Sequence, residues 1–202
     1  MTESERMRAG ALYYAGDEAL SAARLAAKEL IWRYNATAPA DWEGRTAILR
    51  QLLGHLGEES WIETPFRCDY GSQIRIGDHF FANYDCIFLD VASITIGDHV
   101  FFGPRVCLYT AGHPTVPEVR DLELEFGSPI VIGNSVWIGG NTVVLPGVSI
   151  GSGTVVAAGS VVTRDLPEDV LAAGNPCKVL RALTEGDRAK WETLRAAYEA
   201  DS

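Results

Sequence analysis

From Ile132 onward an aliphatic residue returns at every sixth position without a slip: Ile132, Ile138, Val144, Ile150, Val156 and Val162. A fixed period of this kind constrains the fold more tightly than any other feature of the chain. Four positions after each of the first five anchors stands a small or β-branched residue, Val136, Thr142, Val148, Thr154 and Ser160. Gly follows three anchors directly, as Gly133, Gly139 and Gly151. Each hexapeptide therefore reads as a short strand and a turn, and three of them close one triangular coil of about 18 residues. The anchor fills the interior, the later slot faces a corner where only small side chains fit, and Gly and Asn supply turn geometry. One coil cannot bury its own apolar face, so the coils stack as parallel strands and the stack needs caps. The expectation is a mainly β chain, a left-handed parallel β-helix clearest from about Ile74 to Thr163, within a unit spanning residues 61–182.

The register also appears in Ile76-Gly77-Asp78-His79 and Ile96-Gly97-Asp98-His99. These motifs lie two residues further apart than a regular coil, which predicts a bulge near Asp90, one coil below the loop described next and beside Asn83. Between Leu108 and Ile132 the period is lost. Residues 110–129 carry His113-Pro114, Pro117 and a charged run from Glu118 to Glu125, and read as a loop extruded from the β-helix. Loops of this length in a compact domain are usually functional or disordered. Residues 1–60 show apolar positions at helical spacing, first Ala19 to Ile31 and then Ile48 to Leu56, predicting two helices, with Asp41 capping the second and His55 near its end. Beyond Pro167 the stretch Ala172 to Pro176 reads as an irregular connector. Residues 183–202 follow, with a charged helix from about Thr184 to Ala200, giving the β-helix a helical cap at each end.

The 202 residues hold 17 Lys and Arg against 27 Asp and Glu, a formal charge of −10. That field repels nucleic acid and anionic membrane surfaces, although a local pair of cations still accommodates an anionic cofactor within a Debye length of about 8 Å. The polar N-terminus has no apolar signal segment, and no apolar run approaches a bilayer span, so a cytoplasmic location is expected. The four cysteines form no CxxC pair and read as free thiols.

His113 is the leading catalytic candidate, because imidazole titrates near neutrality and can take a proton from an attacking alcohol. Glu125, across the loop, is placed to orient it. His79 and His99 occupy equivalent outward corners of successive coils, and without a third convergent ligand they make a poor zinc site. Cys68 and Cys86, spaced by one regular coil, read as core residues. Trp137, Phe101 and Phe102 read as packing residues, and Lys178 and Arg181 as cations able to face phosphates.

With these motifs in place, the chain resembles the maltose and galactoside O-acetyltransferases of the hexapeptide-repeat acyltransferase superfamily. The resemblance runs through Glu5-Arg6-Met7-Arg8-Ala9-Gly10, Tyr34-Asn35, Phe66-Arg67-Cys68-Asp69-Tyr70-Gly71, Phe80-Phe81-Ala82-Asn83, Val136-Trp137-Ile138-Gly139-Gly140 and Gly174-Asn175-Pro176. It implies a homotrimer with sites between neighbouring β-helices and acetyl-CoA lying along the groove, no metal being required. It implies His113 as general base, Asn83 holding the acceptor hydroxyl, and Asp17, Asp69 and Asp90 lining the sugar site. It implies cofactor contacts from Trp137, Gly140, Ala158, Thr163, Arg164, Lys178 and Arg181, with the Gly140 N–H stabilising the oxyanion. Gly140 and Asp69 both depart from the galactoside branch, which carries Ser at each.

The sequence thus leads to an acetyl-CoA-dependent O-acetyltransferase acting on a mono- or disaccharide such as maltose, glucose or a galactoside. The alternatives are a γ-type carbonic-anhydrase-like zinc hydratase on the same scaffold and a non-catalytic β-helix binding trimer.

Overall fold

The computed structural model describes residues 1–201; Ser202, the last residue of the expected C-terminal segment, lies outside them. The period of six is realised as three stacks of short parallel strands forming the faces of a triangular prism. The first face stacks Leu56, Ile76, Ile96, Ile132 and Ile150. The second stacks Ile62, Ala82, Phe102, Ile138, Val156 and Ala172. The third stacks Cys68, Phe88, Leu108, Val144 and Val162. All of these side chains are buried. The corner slots Val136, Thr142, Val148, Thr154 and Ser160 are buried too, and their hydroxyls donate to the carbonyls of Ala157 and Pro167.

The stack is longer than the sequence pattern suggests. It begins at His55–Leu56, so His55 opens the first strand and does not end a helix. On the first face the steps from Leu56 to Ile76 to Ile96 are each 20 residues, the next, to Ile132, is 36, and that to Ile150 is 18. The extra residues of the long coils all leave at one edge, between the third face and the first, around Asp69–Gln73, Asp90–Ser93 and 110–129. Asn83 sits at a different edge, between the second and third faces, so the bulge at Asp90 is not beside it. The long coil also stacks Cys68 on Phe88 instead of bringing it into line with Cys86, although both thiols are buried.

The remaining edge explains the Ile-Gly-Asp-His motif. Asp78 Oδ1 accepts from the Glu58 N–H at 2.7 Å, Asp98 Oδ1 from Asp78 at 2.8 Å, and Asn134 Oδ1 from Asp98 at 2.9 Å. Each side chain thereby satisfies the coil beneath. A Cβ on Gly77 would lie 2.2 Å from Asp98 Oδ1, and one on Gly97 2.2 Å from Asn134 Oδ1. The glycines are required by this close approach. The left-handed conformation falls two residues later, at His79, His99 and Ser135, each with φ of 55°.

The N-terminal region holds three helices, α1 (Glu3–Arg8), α2 (Glu18–Ala36) and α3 (Trp42–Leu52), together with the strand Tyr13–Tyr14, where two helices were expected. Asp41 caps α3 as expected, accepting from the Gly44 N–H at 2.9 Å. Helices α2 and α3 close the base of the prism, burying Ile31, Tyr34, Ile48, Leu49 and Leu52 in the same core as the first coil. An uncovered coil would leave backbone groups orphaned. Here the Asn35 side chain acts as a surrogate peptide, donating to the Phe66 carbonyl at 3.0 Å and accepting from its N–H at 2.9 Å. The Tyr34 hydroxyl and the buried Arg45 both donate to the Ile62 carbonyl.

The other end differs from expectation. The stretch after Pro167 forms an antiparallel hairpin, Val170–Ala173 with Lys178–Ala182, and Cys177 in its turn is buried. The terminal helix α5 (Glu185–Ala200) buries no residue, so within one chain it caps nothing. No helix among the described residues is long and apolar enough to cross a membrane.

Candidate active site

Residues 110–129 are not a bare loop. They contain the strand Ala111–Gly112, the short helix α4 (Pro117–Arg120) and the strand Leu124–Gly127, which together with Tyr13–Tyr14 form a three-stranded antiparallel sheet. Ala111 pairs with Gly127 and Gly112 with Phe126, so the next position brings His113 opposite Glu125. On the other side Tyr13 pairs with Glu125. Opposed residues of antiparallel strands share a face, so His113, Glu125 and Tyr13 form one row across the sheet. Tyr13 donates its hydroxyl to Glu125 Oε2 at 2.7 Å, and His113 Nε2 lies 3.9 Å from Glu125 Oε1. Tyr13 is 1% exposed, and burial followed by the bond to Glu125 pushes its pKa far up, keeping it a donor.

The His113 side chain is 55% exposed and opens onto a cleft of about 490 Å³. Ala15, Arg24, Arg120, Glu123 and Glu125 line it. Arg24 is fixed there by donating to the Tyr70 hydroxyl at 2.7 Å and the Ala15 carbonyl at 2.6 Å. Neither Tyr13 nor Arg24 stands out in the sequence: a two-residue strand carries no period, and one arginine on an amphipathic helix looks like surface.

The acidic residues divide. Asp69 is half-buried near the same corner; burial and the nearby Glu125 raise its pKa, while Arg24 and Lys28 oppose the shift. Asp17 is the N-cap of α2 and accepts from the Leu20 N–H at 3.1 Å. Asp90 corrects the expectation of a sugar contact. It is 0% exposed, and its carboxylate accepts from the backbone N–H groups of Asp69 at 3.1 Å, Tyr70 at 2.9 Å and Gln73 at 3.3 Å. It holds the inserted corner together from within.

The remaining positions fall on two separate edges. Asn83, Gly140 and Ala158 rise along the edge between the second and third faces, with the level of Gly103 between Asn83 and Gly140. Successive coils approach closely here: a Cβ on Gly103 would lie 2.5 Å from Gly140 N, and one on Gly139 2.5 Å from Ala158 N. Thr163 and Arg164 are exposed on the edge that carries His113. One chain therefore does not bring Asn83 to His113. Trp137 and Phe101 are 56% and 51% exposed on the second face and so do not pack within one chain, whereas Phe102 is buried. Lys178 is exposed on the terminal hairpin, while Arg181 is held by Asp187 of α5 through contacts of 2.6 and 2.9 Å. The rings of His79 and His99 stack at 4.6 Å on the third edge, away from His113.

Comparison with known proteins decides what this arrangement belongs to. Residues 6–57, from the first helix to the first strand of the prism, match the maltose acetyltransferase hexapeptide capping motif, and residues 129–164 match the six-repeat bacterial transferase hexapeptide. The galactoside O-acetyltransferase of Escherichia coli K12 is 41% identical over 188 residues, 93% of each chain. The chain belongs to the maltose and galactoside O-acetyltransferase family. A maltose O-acetyltransferase from Clostridium difficile 630 superposes with a TM-score of 0.90 at 48% identity, over 91% of this chain and 98% of that one. A galactoside acetyltransferase in complex with coenzyme A superposes equally well, at 0.90 and 41% identity, over 93% and 94%. As a family member the chain is an acyltransferase, and the zinc-hydratase and binding-trimer alternatives give way. The capping motif of the family corresponds to the helices whose Asn35 and Tyr34 satisfy the lowest coil.

Proposed function

We propose that the chain transfers acetyl from acetyl-CoA to a hydroxyl of a mono- or disaccharide, with His113 as general base and Glu125 orienting it. The row Tyr13–Glu125–His113, built where the coil departs most from its period, carries this reading. His113 removes the proton as the sugar oxygen attacks the thioester carbonyl. The tetrahedral intermediate collapses with release of the CoA thiolate, which recovers the proton from the imidazolium. Gly140 offers its N–H to the oxyanion.

The working unit is a homotrimer in the cytoplasm. His113, Thr163 and Arg164 lie on one edge and Asn83, Gly140 and Ala158 on another, so a complete site needs the first edge of one copy against the second edge of its neighbour. Matching levels support this: His113 leaves the prism between the levels of Asn83 and Gly140, and Ala158 and Thr163 lie in the same higher coil. The cofactor then runs up the groove toward Lys178, with Trp137 beside it. The outward side chains also favour burial of two faces. The third carries Ile87, Leu89, Val143 and Val161 with Arg67, and the second carries aromatics, while the first carries His55, Arg75, Thr95 and Ser149 with Val131. A thiol-release assay with acetyl-CoA against glucose, maltose, a galactoside and chloramphenicol tests the reading. Release with saccharides and not with the drug is expected; no release with any saccharide overturns it.

A further inference from the structure

Helix α5 buries no residue, yet its first turn is tied to the terminal hairpin by a fork of hydrogen bonds. Arg181 Nη1 donates to Asp187 Oδ2 at 2.6 Å, and Nη2 donates to Oδ1 at 2.9 Å. Asp187 is fixed in its turn. Its Oδ2 accepts from the Thr184 N–H at 2.8 Å and from the Thr184 hydroxyl at 2.9 Å. The other hydrogen of Arg181 Nη1 goes to the Ala182 carbonyl at 3.0 Å. A guanidinium carries five N–H donors in one rigid plane. Nε–H and the second hydrogen of Nη2 are the two that find no partner among the described residues, and they lie parallel on one edge of that plane. Asp187 therefore takes one fork of the arginine and leaves the other free, on a side chain that is 49% exposed.

The register says where that free fork stands. Arg181 pairs with Leu171, and Leu171 continues the outward column of Trp137 and Val155 on the second face. Opposed residues of antiparallel strands share a face, so Arg181 stands on the outside of the prism at the upper end of the proposed cofactor groove. Lys178 lies on the same strand, opposite Ala173. Coenzyme A carries its charge in phosphates at one end of an otherwise neutral chain. An arginine fork matches a phosphate in a bidentate way that a lysine cannot, provided that the fork is already oriented.

Two effects of Asp187 on phosphate binding oppose each other. Fixing a free arginine costs roughly ten- to thirtyfold in affinity, and Asp187 has met that cost before the cofactor arrives. Its own negative charge repels the phosphate, but at an exposed, screened site this amounts to about threefold. Orientation wins.

The geometry points to Asp187 as a positioning residue of the cofactor site, one that presents the free fork of Arg181 to a phosphate of acetyl-CoA and gives α5 its task. This inference rests on the acetyl-CoA reading of the groove and adds a residue to it. The test measures CoA binding by calorimetry, and kcat and KM for acetyl-CoA and for the phosphate-free donor S-acetylpantetheine, in the full-length enzyme, Asp187→Ala, Asp187→Glu, Arg181→Ala and the Asp187→Ala, Arg181→Ala double variant. Asp187→Ala should weaken CoA binding and raise the KM for acetyl-CoA by roughly four- to tenfold. The kcat at saturation should stay within about twofold, and S-acetylpantetheine should show no change. Asp187→Glu, which keeps a carboxylate, should recover part of the loss. Once Arg181 is Ala, removing Asp187 should cost nothing more, because the effect runs through the guanidinium. Unchanged or tighter CoA binding in Asp187→Ala, an equal loss with S-acetylpantetheine, or a further loss in the double variant would each overturn it. Calorimetry needs no acceptor, so a parent enzyme that binds CoA but acetylates no saccharide fails the saccharide reading and leaves this one standing; a parent that binds no CoA overturns both.

Discussion

The Tyr13 hydroxyl donates to Glu125 Oε2 at 2.7 Å, tying a strand near the N-terminus to the carboxylate that faces His113. The bond joins residues 112 positions apart and is the side-chain link between the N-terminal sheet strand and the proposed catalytic pair. A hydrogen bond to a charged group contributes about 1.5 to 3 kcal/mol, so Tyr13→Phe should lower the melting temperature. It should also let Glu125 swing, reducing kcat roughly tenfold with the KM for acetyl-CoA unchanged. Steady-state kinetics and calorimetry on the one variant check both; unaltered kcat would remove Tyr13 from the positioning of the pair.

His113→Ala should reduce kcat by roughly 10² or more, the usual scale for a lost general base, while acetyl-CoA binding persists. Glu125→Ala should cost less. If the two act as a unit, the double variant falls no further than His113→Ala alone. Additive losses would mean that Glu125 serves some other step.

The repeat was legible because every anchor points inward and nothing else tolerates that position. The faces were harder to read: the sequence reading put the Asp90 bulge beside Asn83, whereas Asn83 follows an anchor of the second face and the His113 loop leaves after Leu108 of the third, on a different edge. What it hid was the sheet around His113, whose strands are two to four residues long, with partners more than a hundred residues away in one case. Asp90 was misread for a related reason. Its partners are backbone N–H groups, which carry no residue signature, so a buried corner anchor and a sugar ligand look alike in sequence.

The Ile-Gly-Asp-His corners yield a prediction opposite to the usual assignment of glycine to strained backbone. Gly97→Ala should destabilise the protein substantially, because the new Cβ would meet Asn134 Oδ1 at 2.2 Å and Asn134 N at 2.9 Å. His99→Gly should be neutral or slightly stabilising, since His99 itself holds the positive φ of 55°, a conformation costing a non-glycine residue about 1 kcal/mol. Thermal unfolding of the two variants side by side decides it. If Gly97→Ala is tolerated and His99→Gly is not, the close approach is not what the glycine serves.

Asp90 gives the clearest pH signature. Burial, with a smaller push from the Asp69 charge, raises its carboxyl to about 6, against the backbone N–H groups, among them those of Tyr70 and Gln73, that favour the charged form. In the unfolded chain it titrates near the ordinary value of about 3.9. Between those two pH values the folded state binds more proton than the unfolded one, so the stability contributed by Asp90 rises as pH falls through 6 and is lost again as pH climbs above it. A shift of about two units corresponds to roughly 2 to 3 kcal/mol. Asn at this position is neutral throughout and keeps one acceptor oxygen, so Asp90→Asn removes the titration. The difference in unfolding free energy between the parent and Asp90→Asn should therefore move in favour of the parent by about that amount as pH is lowered from 7 to 4, measured by urea unfolding at fixed ionic strength. A difference independent of pH would show that the corner accommodates the carboxylate without penalty. Because the carboxylate has no exposed surface, the variant should also leave the KM for the acceptor within about twofold wherever it remains folded.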